Sequence, residues 1–183
     1  MDLRVWIRTL VVGAAALAVG ASCGKKAGKD EIVIGHYASM TGANATFGQS
    51  TDKAVQIAVE EQNANGGING KKIKLVTIDD AGKATEASVA VTRLINDEGA
   101  KAILGEVASS LSLVGGPIAQ EAGVPMISPS STNPEVTKAG DMVFRVCFLD
   151  DFQGWVGAKF ATETLRAKKA AILYDQGEAY STG

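Results

Sequence analysis

The sequence predicts an α/β fold built on a doubly wound parallel sheet, and three observations carry that reading. From Glu31 onward, short β-branched runs alternate with longer segments of helical period. Two apolar runs, ending near Gly105 and Ser128, lead straight into hydroxyl-rich loops, Ala108-Ser109-Ser110 and Ser128 to Asn133. The composition, 46% hydrophobic and 21% charged over 183 residues, suits a globular chain of one domain or slightly more. In an open parallel sheet ligands bind beyond the carboxyl ends of the strands, so both loops are expected to open onto one crevice. A small polar ligand is the leading expectation.

Residues 1–22 read as a secretory signal, with Arg4 and Arg8 followed by an apolar core from Thr9 to Val19 and the small residues Gly20-Ala21-Ser22. That core is too short for a permanent bilayer span. Small residues directly before Cys23 are similar to a bacterial lipobox, which makes Cys23 the expected lipidation site, although Gly20 stands where the pattern usually has leucine. Plain cleavage near Ala21 is the competing reading. Residues 23–30, polar and rich in Gly and Lys, form a tether.

The first strand is expected at Ile32–Tyr37, followed by the polar loop Ser39–Gly48. A helix from Ser50 to Asn65 is expected to bury Ala54, Ile57 and Ala58 and to end at Asn65-Gly66-Gly67, where glycine takes the left-handed cap without steric cost. Lys72–Asp79 is the second strand. The second helix, Thr85–Glu98, places Ala87, Val91, Leu94 and Ile95 on one face and stops at Gly99. Ala102–Gly105 is the third strand. Pro117, which lacks a backbone donor, is expected to divide the following helix into two pieces ending at Gly123. Strands are expected at Pro125–Ser128 and Met142–Val146, with Cys147 at a buried strand end. A helix over Phe152–Arg166 should bury Phe152, Val156 and Phe160, and Ala170–Tyr174 should form another strand. No helix follows that strand, so the chain reads as a fragment.

Charge and residue types exclude several functions. The net charge of -2 arises from 18 basic and 20 acidic residues without a basic cluster after the N-terminus, so nucleic acid is not an expected partner. With one histidine, His36, and two cysteines in different settings, neither a disulfide framework nor a metal centre nor a Cys/His nucleophile is indicated. No catalytic constellation and no cofactor are expected. Asp79-Asp80 suits a loop-fixing role, accepting backbone N–H groups. Gly66-Gly67 and Gly70 stand in the wrong order for a phosphate loop, and Gly42 to Gly48 lacks its lysine. His36 is expected to be packed or lining.

The runs IGHYASMTGANATFGQS, NANGGINGKKIKLVTIDDAG, GEVASS, PMISPSSTNPEVT and FRVCFLDDFQG together resemble the periplasmic leucine/isoleucine/valine-binding proteins of branched-chain amino acid ABC transporters. The resemblance covers Glu31 to Gly183. It implies two α/β lobes that close on an amino acid, with residues 31–148 as the first lobe, a crossing near Cys147–Asp150 and residues 149–183 as the start of the second. It also implies that part of the pocket, including an acidic partner for the ammonium group, lies in sequence not present in this chain.

A zwitterion's carboxylate is well held by hydroxyls and by the free N–H groups of a helix start. Ser109 and Ser110 stand at such a junction, and Ser109 matches the family's carboxylate-contacting serine; the competing reading is that Ser109 only caps the helix. Ser130, Ser131 and Thr132 follow the fourth strand in a loop that can present carbonyls and a hydroxyl to an ammonium group; Thr132 matches the family's threonine ligand, and Ser131 stands near a backbone contact usually made by alanine. Thr-Asn-Pro-Glu is also a good helix start, with Asn133 as cap. The resemblance further places Phe47 on the ligand's side chain and Tyr180 across the crevice from the second lobe.

These readings converge on an exported, lipid-anchored, monomeric solute-binding protein that captures an amino acid, branched-chain first among them, and delivers it to an ABC permease by a population shift toward a closed form. Other ligands (amide, urea or aromatic acid) and the sensor module of a signalling receptor are the alternatives. Weak or absent binding by the 183-residue chain is expected, because a one-sided site lacks enclosure.

Overall fold

The computed structural model describes residues 30–183. The signal segment, Cys23 and nearly all of the tether lie outside these residues. Five parallel strands form one sheet: β1 (Glu31–Ala38), β2 (Lys72–Asp79), β3 (Ala102–Leu104), β4 (Met126–Ser128) and β5 (Val143–Arg145). Their spatial order is β2-β1-β3-β4-β5. The order reverses between β1 and β3, and such a switch point opens a crevice at the carboxyl ends of the strands.

The helices are α1 (Ala45–Ala64), α2 (Ala84–Asn96), α3 (Ser109–Glu121), α4 (Asp150–Lys159, continued by a π-helical turn at Phe160–Thr164) and α5 (Ala179–Thr182). A 3₁₀ helix spans Pro134–Ala139. Strand alternation sends Val33, Tyr37, Ile103, Met126 and Val143 to one face. There they form the core with Ala87, Val91 and Leu94 of α2 and Leu111 and Ala119 of α3. Gly35 allows this packing, since a Cβ there would stand 3.1 Å from the Leu94 methyl carbons.

Several expectations are corrected. Ala54, Ile57 and Ala58 of α1 are exposed, and the buried side of that helix carries Gly48 and Asp52. The cause is the close approach of Gly48 to Ser39: a Cβ at Gly48 would lie 2.1 Å from the Ser39 carbonyl oxygen. That contact fixes the rotation of α1, and residues 54, 57 and 58 then point away. Asp52 enters the interior because its carboxylate accepts the Thr77 hydroxyl at 2.9 Å.

Pro117 does not divide α3, which runs unbroken through it. Pro117 is itself exposed and costs one backbone bond, while Leu111, Ser112, Gly115, Gly116 and Ala119 hold both halves against the core. β5 ends at Arg145, so Cys147 lies beyond the sheet and is only half-buried. Phe152, Val156 and Phe160 are exposed, and residues 170–174 form no strand. A strand needs a hydrogen-bonded neighbour, and β5 is the last strand at that side of the sheet among the described residues.

Candidate functional site

The turns that follow β1, β2, β3 and β4 meet at one end of the sheet. Asp79 fixes the first two together: its carboxylate accepts the N–H groups of Met40, Thr41 and Ala81 and the Thr41 hydroxyl at 2.7–3.2 Å. Burial alone would raise its pKa, but the Thr41 hydroxyl and these N–H groups hold it below the usual value. The loop-fixing role expected of Asp79 is therefore what the geometry provides.

Asp80 is wholly buried. Its Oδ1 accepts the Gly82 N–H at 2.8 Å and lies 2.9 Å from the Ser39 hydroxyl. Burial pushes its carboxyl up to about 6, against the Gly82 bond and reinforced by the charges of Glu106 and Asp79. Glu106, buried at the end of β3, accepts the N–H of Ser39 at 2.7 Å, the Ser39 hydroxyl at 2.6 Å and the N–H of Ala108 at 2.6 Å. Its main-chain carbonyl accepts the hydroxyls of Ser112, Ser128 and Ser131 at 3.2, 2.7 and 3.1 Å. One residue thus ties the ends of β1, β3 and β4. Tyr37 lies beneath it in the core, where burial pushes the phenol far above its ordinary pKa.

Ser109 is buried in the first turn of α3, and its hydroxyl accepts the N–H of Asn133 at 3.3 Å. The two hydroxyl loops are therefore adjacent. Ser109 does not cap the helix: Ala108 occupies the cap position without a side-chain bond. The first-turn N–H groups of Ser109 and Ser110 have no acceptor within the helix. Ser110 donates its hydroxyl to Glu178 at 2.9 Å.

In the second loop, the Ser131 hydroxyl is turned inward to Ser112, Glu106 and Val107, whereas Ser130 is exposed. The hydroxyl of Thr132 and Oδ2 of Asp150 are both buried without a hydrogen-bond partner among the described residues. They are neighbours, since the Asp150 N–H donates to the Thr132 carbonyl at 3.1 Å. Asn133 caps the 3₁₀ helix as expected, accepting the Glu135 N–H at 2.9 Å. Arg145 clamps this loop: Nη1 donates to the carbonyls of Ser131 and Asn133 at 3.0 and 2.6 Å, and Nη2 to the Pro134 carbonyl and Thr137 hydroxyl at 3.1 and 2.7 Å.

Residues 178–183 lie over this end of the sheet. Asn133 Nδ2 donates to the Ala179 carbonyl at 2.7 Å, and the Tyr180 hydroxyl accepts from Gln153 at 3.0 Å. Tyr180 thus reaches α4 and not the hydroxyl pair. Phe47 stands apart on α1, 64% exposed. His36 is packed, with Nδ1 3.0 Å from the Leu104 carbonyl, and borders a cavity of about 200 Å³ with Val55, Ile127 and Val146. Among the described residues no cluster of three His, Cys, Asp or Glu side chains could hold a metal.

Four residues escaped sequence reasoning: Glu106, Arg145, Asp150 and Glu178. Glu106 and Arg145 had a visible signal, a charge placed at the end of an apolar strand. Asp150 stood only at the end of the expected crossing, and nothing local distinguishes Glu178.

The family profile described as periplasmic binding protein matches residues 31–183. An amino acid binding protein from Pseudomonas aeruginosa is 41% identical over 154 residues, covering 84% of this chain and 41% of its own length. A solved structure of the leucine binding protein LivK from Thermotoga maritima is 42% identical with a TM-score of 0.79, covering 83% of this chain and 43% of that one. The branched-chain amino acid transporter substrate-binding protein LivJ from Streptococcus pneumoniae, solved with isoleucine, is 37% identical with a TM-score of 0.73, covering 75% and 40%. The chain therefore spans less than half the length of these relatives. Its parallel sheet with helices on both faces is the type I periplasmic-binding-protein fold, and the chain belongs to the periplasmic binding protein family.

Proposed function

We propose that the strand-end crevice captures an amino acid, branched-chain in preference, for an ABC transporter. The observation that carries this reading is the pair of buried, unpartnered atoms, Thr132 Oγ1 and Asp150 Oδ2, beside the free N–H groups at the start of α3. Burying an unpaired carboxylate oxygen and hydroxyl is costly, so the site is built for a group that donates to both, as an ammonium does. The α3 start and the Ser109 and Ser110 hydroxyls offer the complementary place for a carboxylate. Glu178 on Ser110 is then a protein carboxylate standing near the position of the ligand's own.

In this reading Ser109, Ser110 and Thr132 hold the ligand's polar end, Ser130 and Ser131 shape the loop, and Phe47 and Tyr180 meet the ligand when the lobes close. Residues 31–148 are the first lobe and residues 149–183 belong to the second. Export and delivery to a permease, which the family description and the relatives' names support, belong to the proposal, together with anchoring through a lipidated Cys23 and a monomeric state.

Titration of the chain with leucine, 4-methylpentanoate and 3-methylbutylamine tests it. Because Asp150 offers a carboxylate within this chain, weak binding and not its absence is expected: leucine with a Kd on the order of millimolar, as suits a partly enclosed site, and the two one-ended analogues at least about tenfold more weakly. Equal binding of leucine and 4-methylpentanoate would remove the ammonium site, and with it this reading.

A further inference from the structure

Ser39, Asp80 and Glu106 stand where β1, β2 and β3 end, all buried, and none of them faces the proposed ligand. The Ser39 hydroxyl lies 2.6 Å from Glu106 Oε1 and 2.9 Å from Asp80 Oδ1. A serine hydroxyl carries one hydrogen, and an ionised carboxylate none. If that one hydrogen served both contacts, two ionised carboxylates would face each other across a single buried hydroxyl, so a second hydrogen on one of the acids is favoured. Glu106 accepts two main-chain N–H groups besides the hydroxyl, so both of its oxygens are supplied with donors. Asp80 has one main-chain bond, and its Oδ2 is buried without a partner among the described residues. With that hydrogen placed on Asp80, the Ser39 hydroxyl donates to Glu106 and accepts from Asp80.

We propose that Asp80, Ser39 and Glu106 hold one shared proton, that Glu106 through it positions the loops carrying the ligand-facing hydroxyls, and that ligand capture consequently weakens when the proton leaves. The positioning part rests on reading the crevice as the ligand site. Glu106 is suited to the role because its two ends hold the turns after β1, β3 and β4, while Asp80 adds the turn after β2. Loss of the proton leaves two buried carboxylates facing one hydroxyl, and their repulsion acts directly on those turns.

Among the described residues, the surroundings supply no compensating cation. Glu106 and Asp79 are the charges that raise the Asp80 carboxyl, and Tyr37 below is neutral. At the start of α2, Lys83 and Glu86 are exposed; the first turn of α3 carries no acidic residue, and Asp52 of α1 is engaged by Thr77. The folded-state value of Asp80, about 6, lies above the ordinary 3.8. Its contribution to stability is thus fully present below pH 3.8 and is lost as the pH rises through about 6.

Carbon-detected NMR titration of the aspartate and glutamate carboxyls in the unaltered chain tests the shared proton. One step near pH 6 in the Asp80 carboxyl resonance is expected; titration of Asp80 in the ordinary carboxylate range would overturn it. Asp80→Asn, which fixes the neutral form, is expected to abolish the fall of the unfolding midpoint between pH 5 and 7. It is also expected to make leucine affinity independent of pH over that range, where the unaltered chain loses affinity several-fold. A variant that keeps the original pH profiles would contradict the positioning role. If the unaltered chain binds no leucine at any pH, the capture reading and the positioning role fall together, while the carboxyl titration and the unfolding profile still decide the proton.

Discussion

Arg145→Lys is expected to destabilise the chain by about 3 kcal/mol, although it keeps the positive charge. Arg145 makes four hydrogen bonds from two nitrogens of one planar group, to acceptors on Ser131, Asn133, Pro134 and Thr137. A lysine ammonium is a point charge on a flexible stem and cannot present that fork. Bonds to charged donors contribute roughly 1.5–3 kcal/mol each, and four that share one group do not add fully. For a chain of this size, a loss of about 3 kcal/mol lowers Tm by roughly 6–12 °C. Because the clamped segment includes the loop that carries Thr132, leucine affinity is expected to fall at least about tenfold. An unchanged Tm in a thermal melt would show that the guanidinium does not hold the loop.

Gly48→Ala is expected to cost a similar or larger amount, about 3 kcal/mol or more. The added Cβ would stand 2.1 Å from the carbonyl oxygen of Ser39 and 2.5 Å from its carbon, so the new methyl meets main chain, with no flexible side chain able to move aside. Relief requires α1 to shift away from the end of β1. Ser39 is also the residue that links Asp80 to Glu106, so the shift disturbs the strand-end turns as well. Gly154→Ala supplies the control of opposite sign. Nothing lies within 4 Å of its Cβ position, and it sits inside α4, where alanine is favoured over glycine by roughly 0.8–1 kcal/mol. Denaturant unfolding of the two variants is expected to move the midpoints in opposite directions. Equal shifts would mean that the contact with Ser39 does not set the position of α1.

Much of the fold was legible because its signals are local. β1 and β2 are long β-branched runs, α2 has a clean apolar face, and Asn133-Pro134 is a helix start wherever it occurs. The rotation of α1 was not legible, since it depends on a contact between Gly48 and a residue of another element. Nor was the continuity of α3 through Pro117, which tertiary packing maintains against a local penalty. The helix expected over Phe152–Arg166 is present as α4 and its π-helical turn, but Ala170–Tyr174 read as a strand from apolar content alone, and apolar content becomes a strand only beside another strand.

The candidate site divides in the same way. Ser109, Ser110 and Thr132 were visible as hydroxyls placed after strands, and the structure brings their loops into contact through the Ser109–Asn133 bond. Asp150 was not visible as a partner of Thr132, because the two are separated along the chain and joined only by a main-chain hydrogen bond. Glu106 was passed over for a different reason. Its neighbours Ser39, Ala108, Ser128 and Ser131 come from three separate turns, and only the order of the sheet gathers them.

The most direct test of amino acid capture is a residue-resolved NMR titration of the chain with leucine. Saturable shifts of the amide signals of Ser109 and Ser110, together with Thr132 and Asp150, are expected, with a common Kd. Saturable shifts confined to the cavity beside His36, or none at all, would contradict the account.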